Sequence, residues 1–279
     1  MKTISVIGGD RRQAILARLL AEDGFVVCTC GLEQWSDRET PLEDAVQADV
    51  VILPLPLCWQ TGVLNRTGEP LPTADLFAML RPEQLILAGQ VQPAQRREAE
   101  ARGLRLEDYF LREEMTVANA AATAEGALQV AMEHMERTLL GTEVLVLGFG
   151  RIGKLLAHRL HGLGARVTAT ARQAEDLAWI EAFGWQALET GRIGGELGRF
   201  PVVFNTIPSY ILNKELVNRL PAGCLVIDLA SVQGVDAAAA EEASIHYIWA
   251  RGLPGKLVPV TAAAAIRRAV RAILREGSV

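Results

Sequence analysis

The sequence has little of what metal, membrane or nucleic-acid chemistry requires. Its four cysteines (Cys28, Cys30, Cys58, Cys224) form no Cys-x-x-Cys pair, and no histidine stands at metal-ligand spacing from them. They read as small core residues in a reducing compartment, and no metal is expected. No apolar run reaches the length of a membrane-crossing helix. No long run of Lys or Arg appears, and a net charge of −5 disfavours a nucleic-acid partner. Lys2 leads into a short strand-like stretch and then Gly-Gly-Asp, not into the apolar core of a secretory leader, so cytoplasm is the expected location. Aromatic residues are scarce, at 5%, yet hydrophobic residues make up 50% of the 279 positions. That is enough for one or two domains with ample cores.

What is present is an alternation, and it runs twice. In the first half, Thr3–Ile7, Phe25–Thr29, Val50–Leu53 and Gln84–Ala88 read as buried strands, with helices at Arg11–Glu22, around Thr73–Met79 and at Pro93–Arg102. In the second half the strands are Glu143–Leu147, Arg166–Thr170, Val202–Asn205, Cys224–Asp228 and Ser244–Ile248. Short β-rich runs separated by longer amphipathic ones predict an α/β chain with parallel sheets. Between the halves, Thr123 is placed to cap a helix running to about Leu140, with Leu128, Ala131, Met132, Met135 and Leu139 at helical spacing. The expected organisation is a first domain over 1–122, an interdomain helix over 123–140, a second domain over 141–258, and an amphipathic C-terminal helix over 259–279 that packs back on the first domain.

The second glycine turn reads "EVLVLGFGRIGKLLA". Gly148, Gly150 and Gly153 follow a predicted strand and open a predicted helix, which is the dinucleotide fingerprint in its proper setting. The first glycine permits the tight turn, the second lets the backbone approach a pyrophosphate, and the third lets helix and strand lie close. Amides at the helix start, with Arg151 and Ile152 among the first residues, then bind phosphate. The following strand ends in Thr170 and Ala171, with no Asp or Glu to grip a ribose 2′-hydroxyl, and Arg172 comes next. A guanidinium there suits a 2′-phosphate, so NADP(H) is the expected cofactor. Ligands of such sheets sit outside the carboxyl ends of the strands. Asn205, Thr206, Ile207, Pro208 and Ser209, then Asp228, Ala230 and Ser231, are therefore expected to line the cofactor cleft, with Gly252 and Pro254 close to the nicotinamide. The predicted fold is two Rossmann-like, doubly wound parallel-sheet domains joined by a long helix.

"VIGGDRRQ", "TAEGAL", "LGFGRIGKLLA", "NTIPSYILN", "DLASVQGVD" and "GLPGKLVPVTA" occur in this order. Together, over almost the whole chain, they resemble the family of dipicolinate synthase A subunits. The general build is also similar to that of 2-hydroxyacid dehydrogenases, alanine dehydrogenase and adenosylhomocysteinase. The resemblance implies an oxidoreductase that works with a flavoprotein-like B subunit in the mother cell of spore-forming bacteria. Its implied substrate is a small cyclic dicarboxylate, dihydrodipicolinate or its hydrated precursor, aromatised with NADP as hydride acceptor. Association of the chain with itself stays open. So do two other readings: a dehydrogenase of a small hydroxy or amino acid, and a nucleotide-binding subunit without chemistry of its own.

The first glycine turn, "GGDRRQ", lacks the later glycines of the fingerprint. Asp10 and Gln13 have capping-box spacing, and Arg11 and Arg12 stand at the wrong end of a helix for its dipole unless an anion is present. Gly9, Asp10 and Arg12 are read as a carboxylate site, with Arg12, which matches the family motif, as a bidentate fork. Asn119 and Thr123, at the expected start of the interdomain helix, are candidates for the second carboxylate. The candidate catalytic groups are Glu125 as a base, and Ser209 and Ser231 as donors near the nicotinamide. His134, His158, His161 and His246 form no His–Glu pair of the kind used in alcohol–ketone chemistry. The substrate is expected where the two domains face each other, in a cleft hinged at the interdomain helix and near Gly252–Gly255.

Overall fold

The computed structural model describes residues 2–60 and 62–277, with backbone only at Trp59 and Gln60. The chain divides into two compact units. Unit 1 is Met1–Asn119 with Pro254–Val279, and unit 2 is Ala120–Leu253.

In unit 1 the elements are β1 (Thr3–Ile7), α1 (Arg11–Glu22), β2 (Val26–Cys30), α2 (Leu42–Ala45), β3 (Val50–Ile52), β4 (Cys58–Gln60), β5 (Val63–Leu64), α3 (Thr73–Met79), β6 (Leu85–Ala88), α4 (Pro93–Ala101) and β7 (Arg105–Asp108). The helix α5 (Glu113–His134) carries the boundary into unit 2. The sheet runs β2-β1-β3-β6-β7, and every pairing in it is parallel. β1 and β3 are buried on both faces because parallel sheets are covered by helices on both sides. β7 reads Arg-Leu-Glu-Asp, too polar to register as a strand in the sequence, because it is an edge strand. β4 and β5 form a separate antiparallel hairpin that the sequence also hid.

Unit 2 continues with β8 (Glu143–Leu147), α6 (Arg151–Gly162), β9 (Arg166–Ala171), α7 (Ala174–Ala182), β10 (Gln186–Glu189), β11 (Val202–Asn205), α8 (Lys214–Val217), β12 (Leu225–Asp228), α9 (Ala237–Glu242) and β13 (His246–Trp249). Its sheet order is β10-β9-β8-β11-β12-β13, again parallel throughout. That is the doubly wound dinucleotide-binding order, with the reversal beside β8. Strand ends differ from the sequence reading by a residue or two, and the edge strand β10 is polar like β7.

One expectation is corrected. The connecting helix begins at Glu113, not Thr123, and stops at His134, not Leu140. The run from Glu113 to Gly126 is rich in Ala and has no proline, so nothing interrupts it. Glu113 and Glu114 supply the acidic first turn. Thr123 and Asn119 therefore lie inside a helix, and their amides cannot act as a helix N-terminus.

After α10 (Leu253–Leu257), the C-terminal helix α11 (Pro259–Glu276) returns to unit 1, opened by Pro259 in its first turn. Ala263, Ile266, Ala269, Val270 and Ile273 join one core with Leu16 and Leu20 of α1. Burying each branched side chain there stabilises by about 1.5–3 kcal/mol. Asp23, at the C-terminal end of α1, accepts from Arg267 Nε at 2.7 Å and Arg271 Nη1 at 3.0 Å. The hydrogen bond from Arg267 is the main reason its carboxyl sits below the usual range. A lowered folded pKa stabilises above the ordinary carboxylate range, and the contribution is lost as pH falls through the folded value. Asp23→Asn is expected to flatten the acid limb of stability below the ordinary carboxylate range, read from urea midpoints. An unchanged limb would count against the pairing.

Candidate functional site

The two glycine turns have the same place in their sheets and opposite fates. In unit 1, Gly8 (φ +72) donates its N–H to the Cys30 carbonyl at 2.8 Å, and Gly9 (φ +108) to the Asn65 carbonyl at 2.7 Å. The Asp10 amide donates to Gln13 Oε1 and the Arg12 amide to Asp10 Oδ1, which completes the expected capping box. The amides of Gly8, Gly9, Asp10 and Arg12 are thus all consumed within the chain. A Cβ on Gly8 would meet the Asn65 carbonyl oxygen at 2.9 Å, so the segment after the hairpin packs directly on this turn, where that same carbonyl takes the Gly9 amide.

This corrects the reading of Gly9 and Asp10 as an amide cradle for a carboxylate. Arg12 is buried, not a surface residue, at 4% exposure. Its Nε and Nη2 grip Asp10 at 2.9 and 2.7 Å, and Nη2 also reaches the Leu55 carbonyl. The bidentate fork foreseen for substrate is therefore occupied by Asp10. Among the described residues Nη1 has no partner.

In unit 2, Gly148 (φ +96) donates to Thr170 Oγ1 at 3.0 Å, which fixes the turn from behind. Gly150 is the N-cap of α6, and no side chain caps the helix. A Cβ on Gly150 would meet nothing within 4 Å, whereas one on Gly153 would be driven into the Gly148 carbonyl oxygen. The start of α6, where Arg151, Ile152 and Gly153 follow Gly150, thus has clear space beside Gly150. Arg172 follows β9, is exposed, and has no partner among the described residues. The carboxylates nearest along the chain are in the first turn of α7, where Asp176 pairs with Lys154 at 3.5 Å.

The loops after β11 and β12 are held from inside. Asp228, fully buried, accepts from Asn205 Nδ2 (2.8 Å), the Ala230 amide (3.1 Å), the Gly234 amide (2.8 Å) and the Tyr247 hydroxyl (3.2 Å). Burial, then the Asp228 charge, pushes the Tyr247 phenol up, so it stays a donor. Asn205 Oδ1 accepts from the Ile207 amide, and the Thr206 hydroxyl donates to the Leu147 carbonyl at 2.8 Å. The Ala230 carbonyl accepts from Trp249 Nε1 at 2.9 Å. The sequence placed Asn205, Thr206, Ala230 and Asp228 against the cofactor. Their polar groups instead shape the two loops that present exposed Pro208, Ser209 and Ser231 at the carboxyl edge of the sheet. Gly252 (φ +69) turns left-handed ahead of α10, which contains Pro254.

Glu125 lies within α5, exposed and paired with Arg159 at 3.0 Å. Nothing in that setting prepares it as a base, and this part of the sequence reading is corrected. The cysteine thiols stay inert: burial pushes Cys30 and Cys58 up to about 11 and Cys224 up to about 12.

Sequence reasoning missed Arg66. It follows the hairpin in "VLNRTGEP", where only a preceding turn signal was available. Its Cβ lies against Gly8 and its guanidinium against Gly31, at the carboxyl ends of β1 and β2.

No helix among the described residues is long and apolar enough to cross a membrane. Residues 3–110 match the family described as the N-terminal domain of the dipicolinate synthase A subunit. Residues 114–243 match the D-isomer specific 2-hydroxyacid dehydrogenase NAD binding domain, so the cofactor is a nicotinamide dinucleotide and the chain is of dehydrogenase type. The crystal structure of the dipicolinate synthase A subunit from Bacillus halodurans superposes with a TM-score of 0.89 at 26% identity, covering 98% of each chain. The corresponding crystal structure from Bacillus subtilis gives 0.87 at 29% identity, over 99% of this chain and 96% of that one. The dipicolinate synthase A subunit of Bacillus subtilis strain 168 is 30% identical over 98% of this chain and 96% of its own length, and with that the chain belongs to the family of dipicolinate synthase A subunits.

Proposed function

We propose that this protein oxidises a cyclic dihydro-dicarboxylate, dihydrodipicolinate or its hydrated precursor, to the aromatic pyridine dicarboxylate, with NADP as acceptor. The observation that carries the cofactor reading is the unpartnered, exposed Arg172 beside an uncapped glycine turn. The residues fit a dinucleotide: Gly150 leaves open space before the α6 amides, and no carboxylate stands at the end of β9 to repel a 2′-phosphate. The amides from Gly150 to Gly153 would hold the pyrophosphate and Arg172 the 2′-phosphate. An oxidised nicotinamide bound there supplies the hydride acceptor. One ring C–H of dihydrodipicolinate would give up hydrogen with its electron pair and a second hydrogen would leave as a proton to water, while the hydrated precursor would also lose water.

The chain's part is orientation and exclusion of alternatives. Ser209 and Ser231, on loops fixed by Asp228, are the donors at the carboxyl edge of the unit 2 sheet. In unit 1, Arg12 keeps the Nη1 edge for a carboxylate. The same reading pairs the chain with a B subunit in the mother cell during sporulation. It draws support from the relatives' names, each the A subunit of a dipicolinate synthase.

Titration of the purified chain with NADPH and NADH tests it. NADPH is expected to bind more tightly, and Arg172→Ala to weaken NADPH by about 10–100-fold while leaving NADH unchanged. Equal affinities in the unaltered protein would remove the 2′-phosphate role. Oxidation of dihydrodipicolinate, against 2-hydroxy acids and alanine as alternatives, tests the substrate.

A further inference from the structure

Arg66 stands over the first glycine turn, beside Gly8 and Gly31 at the carboxyl ends of β1 and β2. The backbone beneath it is shaped for it: a Cβ on Gly8 would come within 3.1 Å of Arg66 Cβ, and one on Gly31 within 3.1 Å of Nε. Gly31 (φ +73) and Gly68 (φ +83) border the guanidinium in conformations that favour glycine. The side chain is half-buried. Its Nε donates to the Thr67 carbonyl at 3.1 Å, and that is its only hydrogen bond among the described residues.

The neighbouring carboxylates are engaged elsewhere. Glu39 accepts from the Thr29 hydroxyl and the Leu32 amide, and Glu33 from the Thr67 hydroxyl. Both lie close enough to act, with Arg66, on the Cys30 thiol, yet neither forms an ion pair with Arg66. A half-buried guanidinium whose two Nη groups have no acceptor is an anion site waiting for its partner. Its planar edge matches a carboxylate better than a point charge would. The loss of the Gly8 and Gly9 amides to the chain means that any anion here is held by guanidinium, not by backbone.

We infer that Arg66 binds a carboxylate of the cyclic dicarboxylate substrate and is a specificity-determining residue of unit 1. The sealed glycine turn and Arg66 together convert a dinucleotide position into a small-carboxylate position. The inference rests on the substrate proposed above.

The test is calorimetry of the full chain with pyridine-2,6-dicarboxylate, with inorganic phosphate as a second probe and NADPH as a control for unit 2. Arg66→Gln is expected to raise the dicarboxylate Kd by about 10–100-fold and to leave the NADPH Kd unchanged. Arg66→Lys is expected to recover only part of the loss, because the fork is gone. Dicarboxylate binding that is the same in the unaltered protein and in Arg66→Gln overturns the Arg66 assignment and leaves the proposed reaction standing. No dicarboxylate binding by the unaltered protein overturns both. Phosphate bound as tightly as the dicarboxylate, and lost in Arg66→Gln, overturns the ligand class. Loss of NADPH binding alongside dicarboxylate in a variant with a lowered Tm would mark Arg66 as merely structural.

Discussion

Gly150→Ala is expected to fold normally and bind dinucleotide about 100-fold more weakly, whereas Gly153→Ala is expected to damage the turn itself. The two glycines differ in what surrounds an added methyl. At Gly150 (φ −78) an alanine is sterically allowed and its Cβ meets nothing within 4 Å. That empty space is where a pyrophosphate approaches the backbone, so the methyl obstructs ligand and not protein. The N-cap change alone costs no more than about 1 kcal/mol. At Gly153 the methyl is forced into the Gly148 carbonyl, and backbone cannot move aside as a flexible side chain would. A cost of about 3 kcal/mol follows from such overpacking. Thermal unfolding and NADPH titration of both variants check the contrast. Full-strength binding by Gly150→Ala would mean that this turn is not the phosphate cradle.

Asp228→Ala is expected to destabilise unit 2 by about 3–5 kcal/mol, because three buried donors and one half-buried donor lose one acceptor together. The Ala230 and Gly234 amides are left facing a cavity, while Asn205 Nδ2 keeps only the Ile207 carbonyl and the Tyr247 hydroxyl is half-buried, and each dry donor costs about 1–3 kcal/mol before water enters. Since Asp228 ties the loop after β11 to the loop after β12, Ser209 and Ser231 lose their mutual placement as well. Urea unfolding is the measurement. A change below about 1 kcal/mol would show that the network is not cooperative.

The legible parts of the chain were those where local physics acts alone. β1, β8 and β11 are short, largely buried on both faces and bounded by turns, and the sequence showed them. The glycine fingerprint was legible because each of its glycines answers a separate steric demand. β7 and β10 were not, since an edge strand has no second neighbour and tolerates polar residues. The start of α5 was misplaced because Thr123 has the chemistry of a cap but sits in an alanine-rich run that was already helical. At the candidate site the residue types were right and their partners were hidden. Arg12 was recognised as unusual, but nothing local shows that Asp10 folds back onto it or that Leu55 lies behind it. Arg66 reaches Gly8 and Gly31 only through the path of the hairpin, which is a long-range fact.

The discontinuity of unit 1 has a consequence for biogenesis. Unit 2 is a single uninterrupted stretch, whereas unit 1 needs α11, made after all of unit 2. During synthesis the apolar stripe of α1, with Leu16 and Leu20, stays uncovered until Ile266, Val270 and Ile273 have left the ribosome. The nucleotide-holding half is thus complete first, and the half with Arg12 and Arg66 is finished only once α11 has been made. A nascent chain stalled before residue 254 would hold a finished dinucleotide fold and an unsealed, aggregation-prone unit 1, a hazard that opens once unit 2 is made and closes only with α11.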